Sequence, residues 1–265
     1  MEIPLEPGDP TFGEVRDGED SSSAPRRVRL SPWNMVLIAA ALAACGIFTV
    51  VAIRHFDQKP AALSVRVTGI PAAVSTPLAN LMALSPVPNK PAPNFTLTDQ
   101  NGHTMSLAFF KGHAVVLEFM DPHCVDICPI VSQEFVDASH DLGATAPRVV
   151  FLAVNVNIRY SSVSAVQTYS REHRLDTIPT WHFFTGASRI LQSVWRSYGV
   201  AVEVPHPNAD IVHTSIVYFI DSEGRERFIA VPSDNHTEAG TAFLPPNQLV
   251  AWGQGIAIVA RQLLK

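Results

Sequence analysis

The alternation of apolar and polar positions divides the chain into four stretches. Met1–Trp33 carries acidic residues, Ser21-Ser22-Ser23 and several prolines. Its apolar content is too low for a core, which predicts a disordered tail over 1–33. Met35–Ile53 is apolar or small throughout except for Thr49. At ~1.5 Å per residue such a helix reaches across a bilayer core, which predicts a membrane anchor over 34–54. Residues 55–91 hold Pro60, Pro71, Pro77, Pro86, Pro88 and Pro91 and read as a semi-extended spacer. From residue 92 to 265, apolar runs of strand length alternate with helical periodicity, the mark of a folded domain.

Within that domain, Phe95-Thr96-Leu97 and Thr104-Met105-Ser106 flank Asn101-Gly102, a hairpin signal. Ala114–Met120 and Val149–Val156 read as buried strands, and Trp181–Phe184 as a short one. Pro129 favours a helix start, with Cys128 at its N-cap and Val131, Phe135 and Ala138 on one face. Further helices are expected over Ser162–Glu172, with Ser162 as N-cap, over Ser188–Tyr198 and over Asn247–Leu264. Ser215–Ile220 and Arg227–Val231 around Ser222-Glu223-Gly224 predict a second hairpin. Strands alternating with helices imply an α/β layer structure, and the terminal hairpin makes its sheet mixed.

Charge orients the anchor. Arg26, Arg27 and Arg29 precede the apolar run, while Arg54 and Lys59 follow it, partly offset by Asp57. The positive-inside rule puts the N-terminus in the cytoplasm and the domain outside, as a single-pass protein of the cell membrane. A competing reading comes from Leu42-Ala43-Ala44-Cys45, which resembles a lipoprotein cleavage box; Gly46–Ile53 stays apolar where that reading expects a polar spacer. The net charge of −5 and the lack of a long basic run give no support to nucleic-acid binding.

Three cysteines exclude a disulfide scaffold, and two of them, Cys124 and Cys128, lie close together in Asp121-Pro122-His123-Cys124-Val125-Asp126-Ile127-Cys128-Pro129. A bridge closing so short a loop would constrain little of the unfolded chain. Two sulfurs near a helix start suit a shared soft metal ion or thiol redox chemistry instead.

The run Cys124-Val125-Asp126-Ile127-Cys128-Pro129 resembles the SCO/SenC family of copper chaperones, whose motif is Cys-Pro-Asp-Val-Cys-Pro, usually after Thr-His. His123, both cysteines, Asp126 and Pro129 agree; Val125 and Pro122 depart, at positions that offer no metal-binding atom. Trp181-His182-Phe183-Phe184-Thr185-Gly186 and Val212-His213-Thr214-Ser215-Ile216-Val217-Tyr218-Phe219-Ile220-Asp221 match two further family stretches. The resemblance implies a thioredoxin-like fold with a mixed central sheet flanked by helices. It implies copper, as Cu(I) or Cu(II), held by Cys124, Cys128 and His213. It also implies delivery to cytochrome c oxidase, at the copper centre of subunit II. Independently, His213 directly precedes an apolar strand, the place from which a loop of this fold approaches the cysteines. Ile178-Pro179-Thr180 mimics the thioredoxin loop, but the following Trp181–Gly186 fits the family's additional strand better.

Other residues carry plainer readings. His123 should point away from Cys124, and His182 should be packed or solvent-facing on its strand. His206 and His236 read as ordinary loop histidines, with transient copper contact as the lesser alternative. Asp121 and Asp126 are expected to hydrogen-bond local backbone. Asn94-Phe95-Thr96 and Asn235-His236-Thr237 match a glycosylation sequon that is common by chance. Two rivals stand beside the chaperone reading. One is a thiol–disulfide oxidoreductase in which Cys124 and Cys128 form a redox-active disulfide. The other is a sensor signalling through the tail.

Overall fold

The computed structural model describes residues 68–204 and 210–264, together with Trp33. The anchor expected over 34–54, the rest of the expected tail, Cys45 and His206 lie outside the described residues. Among the described residues no helix is long and apolar enough to cross a membrane.

In chain order the elements are α1 (Thr76–Leu81), β1 (Ser85–Pro91), β2 (Thr96–Thr98), β3 (Thr104–Ser106), β4 (Ala114–Met120), α2 (Ile127–Leu142), β5 (Val149–Asn155), α3 (Val163–Glu172), β6 (Trp181–Phe184), α4 (Ser188–Tyr198), β7 (Val202–Glu203), β8 (Val212–His213), β9 (Val217–Ile220), β10 (Arg225–Ala230), β11 (Asn235–His236), β12 (Ala242–Phe243) and α5 (Pro246–Gln262). Six of the strands form one sheet in the order β1-β10-β9-β4-β5-β6. β4, β5 and β6 run parallel, while β9 pairs antiparallel with β4 and β10 with β9. The sheet is therefore mixed, as expected.

β4 and β5 read as unbroken apolar runs because both faces of the sheet are covered, and every residue of either strand is buried. Ala114, Val116 and Met120 face a core shared with Val131 and Phe135 of α2 and with Trp252 and Ile256 of α5. Val115, Leu117 and Phe119 face the other way, into a core with Leu191, Val194 and Trp195 of α4 and Phe95 and Leu97 at the β2–β3 hairpin. Fully burying one such Phe contributes roughly 1.5–3 kcal/mol. The α3 N-cap is the expected Ser162, whose Oγ accepts from Ala165 N at 3.1 Å.

The spacer expected over 55–91 is corrected in its second half. Residues 76–81 form α1 and residues 85–91 form β1, which pairs antiparallel with β10. The prolines misled because they suit an exposed spacer and also an edge strand, where a missing N–H breaks no ladder. β1 is such an edge, and its register shifts between Pro86 and Lys90. Val74, Met82 and Leu84 anchor this segment in the core.

Candidate metal centre

β4 feeds the cysteine loop, and α2 leaves it. The helix starts at Ile127, not at the expected Pro129, with Asp126 at the N-cap position. Proline costs nothing at either place, because none of the first-turn N–H groups has an intrahelical partner. The shift moves Cys128 from the expected N-cap into the helix. Cys128 lies inside the first turn, is 3% exposed and belongs to the apolar core. Cys124 lies in the loop ahead of the helix, half-buried, and its Sγ accepts from Asp126 N at 3.4 Å.

The two thiols are free and hydrogen-bond to each other. That bond, with the N–H groups of Cys128 and Asp126, pulls the Cys124 thiol from 9.0 down to about 7 against the cost of burial. The same bond, added to full burial, pushes Cys128 well above the ordinary thiol range. The pair is thus one half-buried thiol titrating near neutrality, backed by one buried, protonated thiol.

Asp121 fixes the loop from below. Its Oδ1 accepts from His123 N at 2.7 Å, as expected of a turn residue, and its carbonyl accepts from Cys124 N at 3.1 Å. Asn157 Nδ2 donates to both carboxylate oxygens at 3.0 Å, tying the loop to the segment after β5. Asp126 departs from expectation. It makes no cap bond, and its Oδ1 instead meets Nε2 of His236, distant in sequence, at 3.0 Å.

His213 ends β8, whose partner β7 sets the register Val202↔His213. Its imidazole and Cys124 line the same cleft of about 300 Å³, together with His123, Ile127, Asp210 and Val212. Burial lowers the pKa of His213 and keeps the ring neutral. Nδ1 lies 3.1 Å from the Thr214 carbonyl, so the tautomer that donates there leaves Nε2 as a free lone pair. The structure brings Cys124 and Cys128 into contact and sets His213 in the cleft that Cys124 lines, but the three donors do not close to within 4.8 Å of one another.

His123 turns aside as expected, stacking on Tyr160 with ring centroids 4.3 Å apart. His182 is packed, its Nδ1 3.0 Å from Asp99 Oδ2 and its ring near-parallel to Phe184. His236, with Asp126 and Asp234, brings ligand-type atoms within 4.8 Å of one another, and through Asp126 this group adjoins the loop between the two sulfurs. One residue near the site went unread in the sequence: Glu118, 1% exposed in the middle of β4. Its signal was a charged residue inside Ala-Val-Val-Leu-Glu-Phe-Met, where burial on both faces leaves a carboxyl no route to water.

The SCO1/SenC family profile matches residues 86–242. Among curated proteins, the SCO1 protein homolog of Bacillus subtilis is 24% identical over 133 residues, covering 49% of this chain and 68% of that protein. The mitochondrial protein SCO2 homolog of Bos taurus is 28% identical over 137 residues, covering 49% of this chain and 50% of that protein. This chain therefore spans about half the length of the bovine relative. Among solved structures, copper-bound ScoI of Bradyrhizobium japonicum superposes with a TM-score of 0.51 at 22% identity, covering 65% of this chain and 98% of that one. Apo Sco1 of Thermus thermophilus gives a TM-score of 0.51 at 20% identity, covering 67% and 94%. The shared fold is thioredoxin-like, with the mixed sheet and flanking helices described above.

Proposed function

This chain belongs to the SCO1/SenC family, and on that premise we propose that it is a membrane-anchored metallochaperone carrying one copper ion on Cys124, Cys128 and His213. The observation that carries the reading is Cys124, backed by the buried Cys128, at the cleft that His213 also lines. Two soft sulfurs and one neutral imidazole suit Cu(I), and such a set with Cu(I) would carry a net charge of −1. The copper-bound ScoI structure supports copper as the cargo.

The asymmetry of the thiols supplies an order of events. Cys124, near neutrality and half-exposed, offers the first thiolate to arriving copper. Cys128 then loses its proton to solvent as its own bond to the ion forms, because the metal competes with the proton for the sulfur. His213 closes last through Nε2, and this closure draws its segment toward the sulfurs. Release to a client runs in reverse, each ligand being replaced in turn. By the family resemblance the client is cytochrome c oxidase, at the copper centre of subunit II. The anchor over 34–54 holds the domain outside the cytoplasm, facing that client.

The test is a copper titration of the full reduced chain. One equivalent should bind with mostly sulfur ligation, and Cys124→Ser or Cys128→Ser should each abolish tight binding. Tight sulfur-ligated binding in the double variant would overturn the reading. A second reading, thiol–disulfide exchange on client cysteines, is favoured by the same asymmetry, since one nucleophilic thiol backed by a buried resolving thiol suits it. His213 separates the two, because disulfide exchange does not need it. Copper binding unchanged by His213→Ala would favour the second reading.

A further inference from the structure

We infer that Glu118 is a positioning residue: its carboxyl ties the segment carrying His213 to the strand that feeds the cysteine loop, and so holds the third ligand opposite the two sulfurs. The inference rests on the copper reading above and deepens it.

The antiparallel ladder between β4 and β9 runs through Val115↔Ile220, Val116↔Phe219 and Leu117↔Tyr218, and stops there. Just past its end, Ile216 N lacks a strand partner. Glu118 supplies one: its Oε1 accepts from Ile216 N at 3.1 Å and from Ser215 Oγ at 3.1 Å. A side chain thus carries the connection between the two strands beyond the point where their backbones part. The acceptor of both bonds is buried, since Glu118 is 1% exposed, and a buried acceptor left without its donors is costly.

The other attachments of this segment lead elsewhere. His213 pairs with Val202, Thr214 N donates to the Ala201 carbonyl at 3.0 Å, and Ala201 N donates to Thr214 Oγ1 at 3.2 Å. All three bind it to the residues after α4, which bear no sulfur. Glu118 stands six residues before Cys124 on the same strand and loop, and two of the first three residues after His213 hang from it. The hydroxyl and the amide it receives need only an acceptor, not a charge. Burial pushes the carboxyl up to about 8, so near neutrality it is mostly the neutral acid, which a glutamine amide resembles.

The experiment uses the full chain and Cu(II) as the probe, with Glu118→Gln, Glu118→Leu, Ser215→Ala and His213→Ala. Binding is read by titration. Ligation is read by the sulfur-to-copper charge-transfer band and by nitrogen hyperfine coupling in the electron paramagnetic resonance spectrum. Glu118→Leu is expected to keep the sulfur band, to lose or scatter the nitrogen coupling and to weaken binding at least tenfold. Glu118→Gln should stay within twofold of the parent in every readout. Ser215→Ala, which removes one donor and leaves the packing, should weaken binding about threefold, and it carries the test if Glu118→Leu fails to fold. Parental coupling and affinity in Glu118→Leu, or in Ser215→Ala where only that variant folds, would overturn the inference. So would a Glu118→Gln defect as large as that of Glu118→Leu. His213→Ala separates the two levels. If it leaves the parent's nitrogen coupling intact, the copper reading of His213 is what fails; if it removes the coupling while the Glu118 variants keep it, only the role of Glu118 fails.

Discussion

A carboxyl sealed inside an apolar strand must find a cation or keep its proton. Glu118 keeps its proton: burial outweighs the bonds from Ser215 and Ile216, and its pKa stands at about 8 against an ordinary 4.5. Glu134 on α2 is displaced the same way, by burial first and then by Glu118 and Asp137, and neither of its oxygens has a partner. Because the folded pKa lies above the unfolded one, the native state binds more protons between about pH 4.5 and pH 8. Stability must therefore fall as pH rises through that window and stay lower above it. Glu118→Gln cannot titrate and removes its share of this slope. In urea unfolding of the reduced, copper-free chain, the parent should lose stability relative to Glu118→Gln on going from pH 5 to pH 8, by of order a few kcal/mol. A parent that gains relative stability over the same interval would show that the carboxyl is ionised in the fold.

Among the elements, α5 shows why local propensity is overridden. It carries Gly253 and Gly255 in its interior, where each glycine costs about 1 kcal/mol against alanine. A Cβ on Gly253 would lie 2.7 Å from the Asp137 Cβ and 3.3 Å from the Ala138 backbone nitrogen, so this glycine lets α2 approach closely. A Cβ on Gly255 would collide with Met82 Sδ, which is where the α1 segment docks. Gly253→Ala should lower stability by roughly 1–3 kcal/mol despite better helix propensity, because a backbone and a Cβ cannot retreat. Gly255→Ala should cost less, since the end of Met82 can swing away. Denaturant midpoints check both values, and the reverse ranking would refute the packing argument. The same distinction marks what was legible beforehand. β4, β6 and α4 were legible to the residue, because burial on two faces or one writes its period directly into the side chains. α1 and β1 were not, since an edge strand rich in proline has the composition of a spacer, and only its tertiary partner β10 distinguishes them. Cys124, Cys128 and His213 were read as a set from the family resemblance, and the structure lines one cleft with Cys124 and His213. Which sulfur is the reactive one was not legible, because it depends on where α2 begins, and a first-turn proline is compatible with starts two residues apart.

At the scale of the whole molecule, the cleft holding Cys124 and His213 would serve as a copper donor only if it met a client repeatedly, and the proposed anchor would supply that. The proposed span, Met35–Ile53, is apolar except at Thr49 and follows Arg26, Arg27 and Arg29. This is the pattern of a helix inserted with its N-terminus inside. With α1 and β1 folded into the domain, residues 76–91 no longer belong to the proposed spacer. A shorter tether raises the effective concentration of the domain near other proteins of the same membrane, provided it still spans the distance between the sites. That favours hand-over to an oxidase copper centre projecting from the same face. Protease added to spheroplasts should therefore cleave the domain that carries Cys124 and Cys128 while sparing Met1. Loss of the chain should also lower oxidase activity, with partial recovery on added copper. A protected cysteine region would put the site in the cytoplasm and overturn both the topology and the client. Mass spectrometry of the mature N-terminus decides how the chain is held, since a lipid on Cys45 would mean that the apolar run is cut rather than kept as a span.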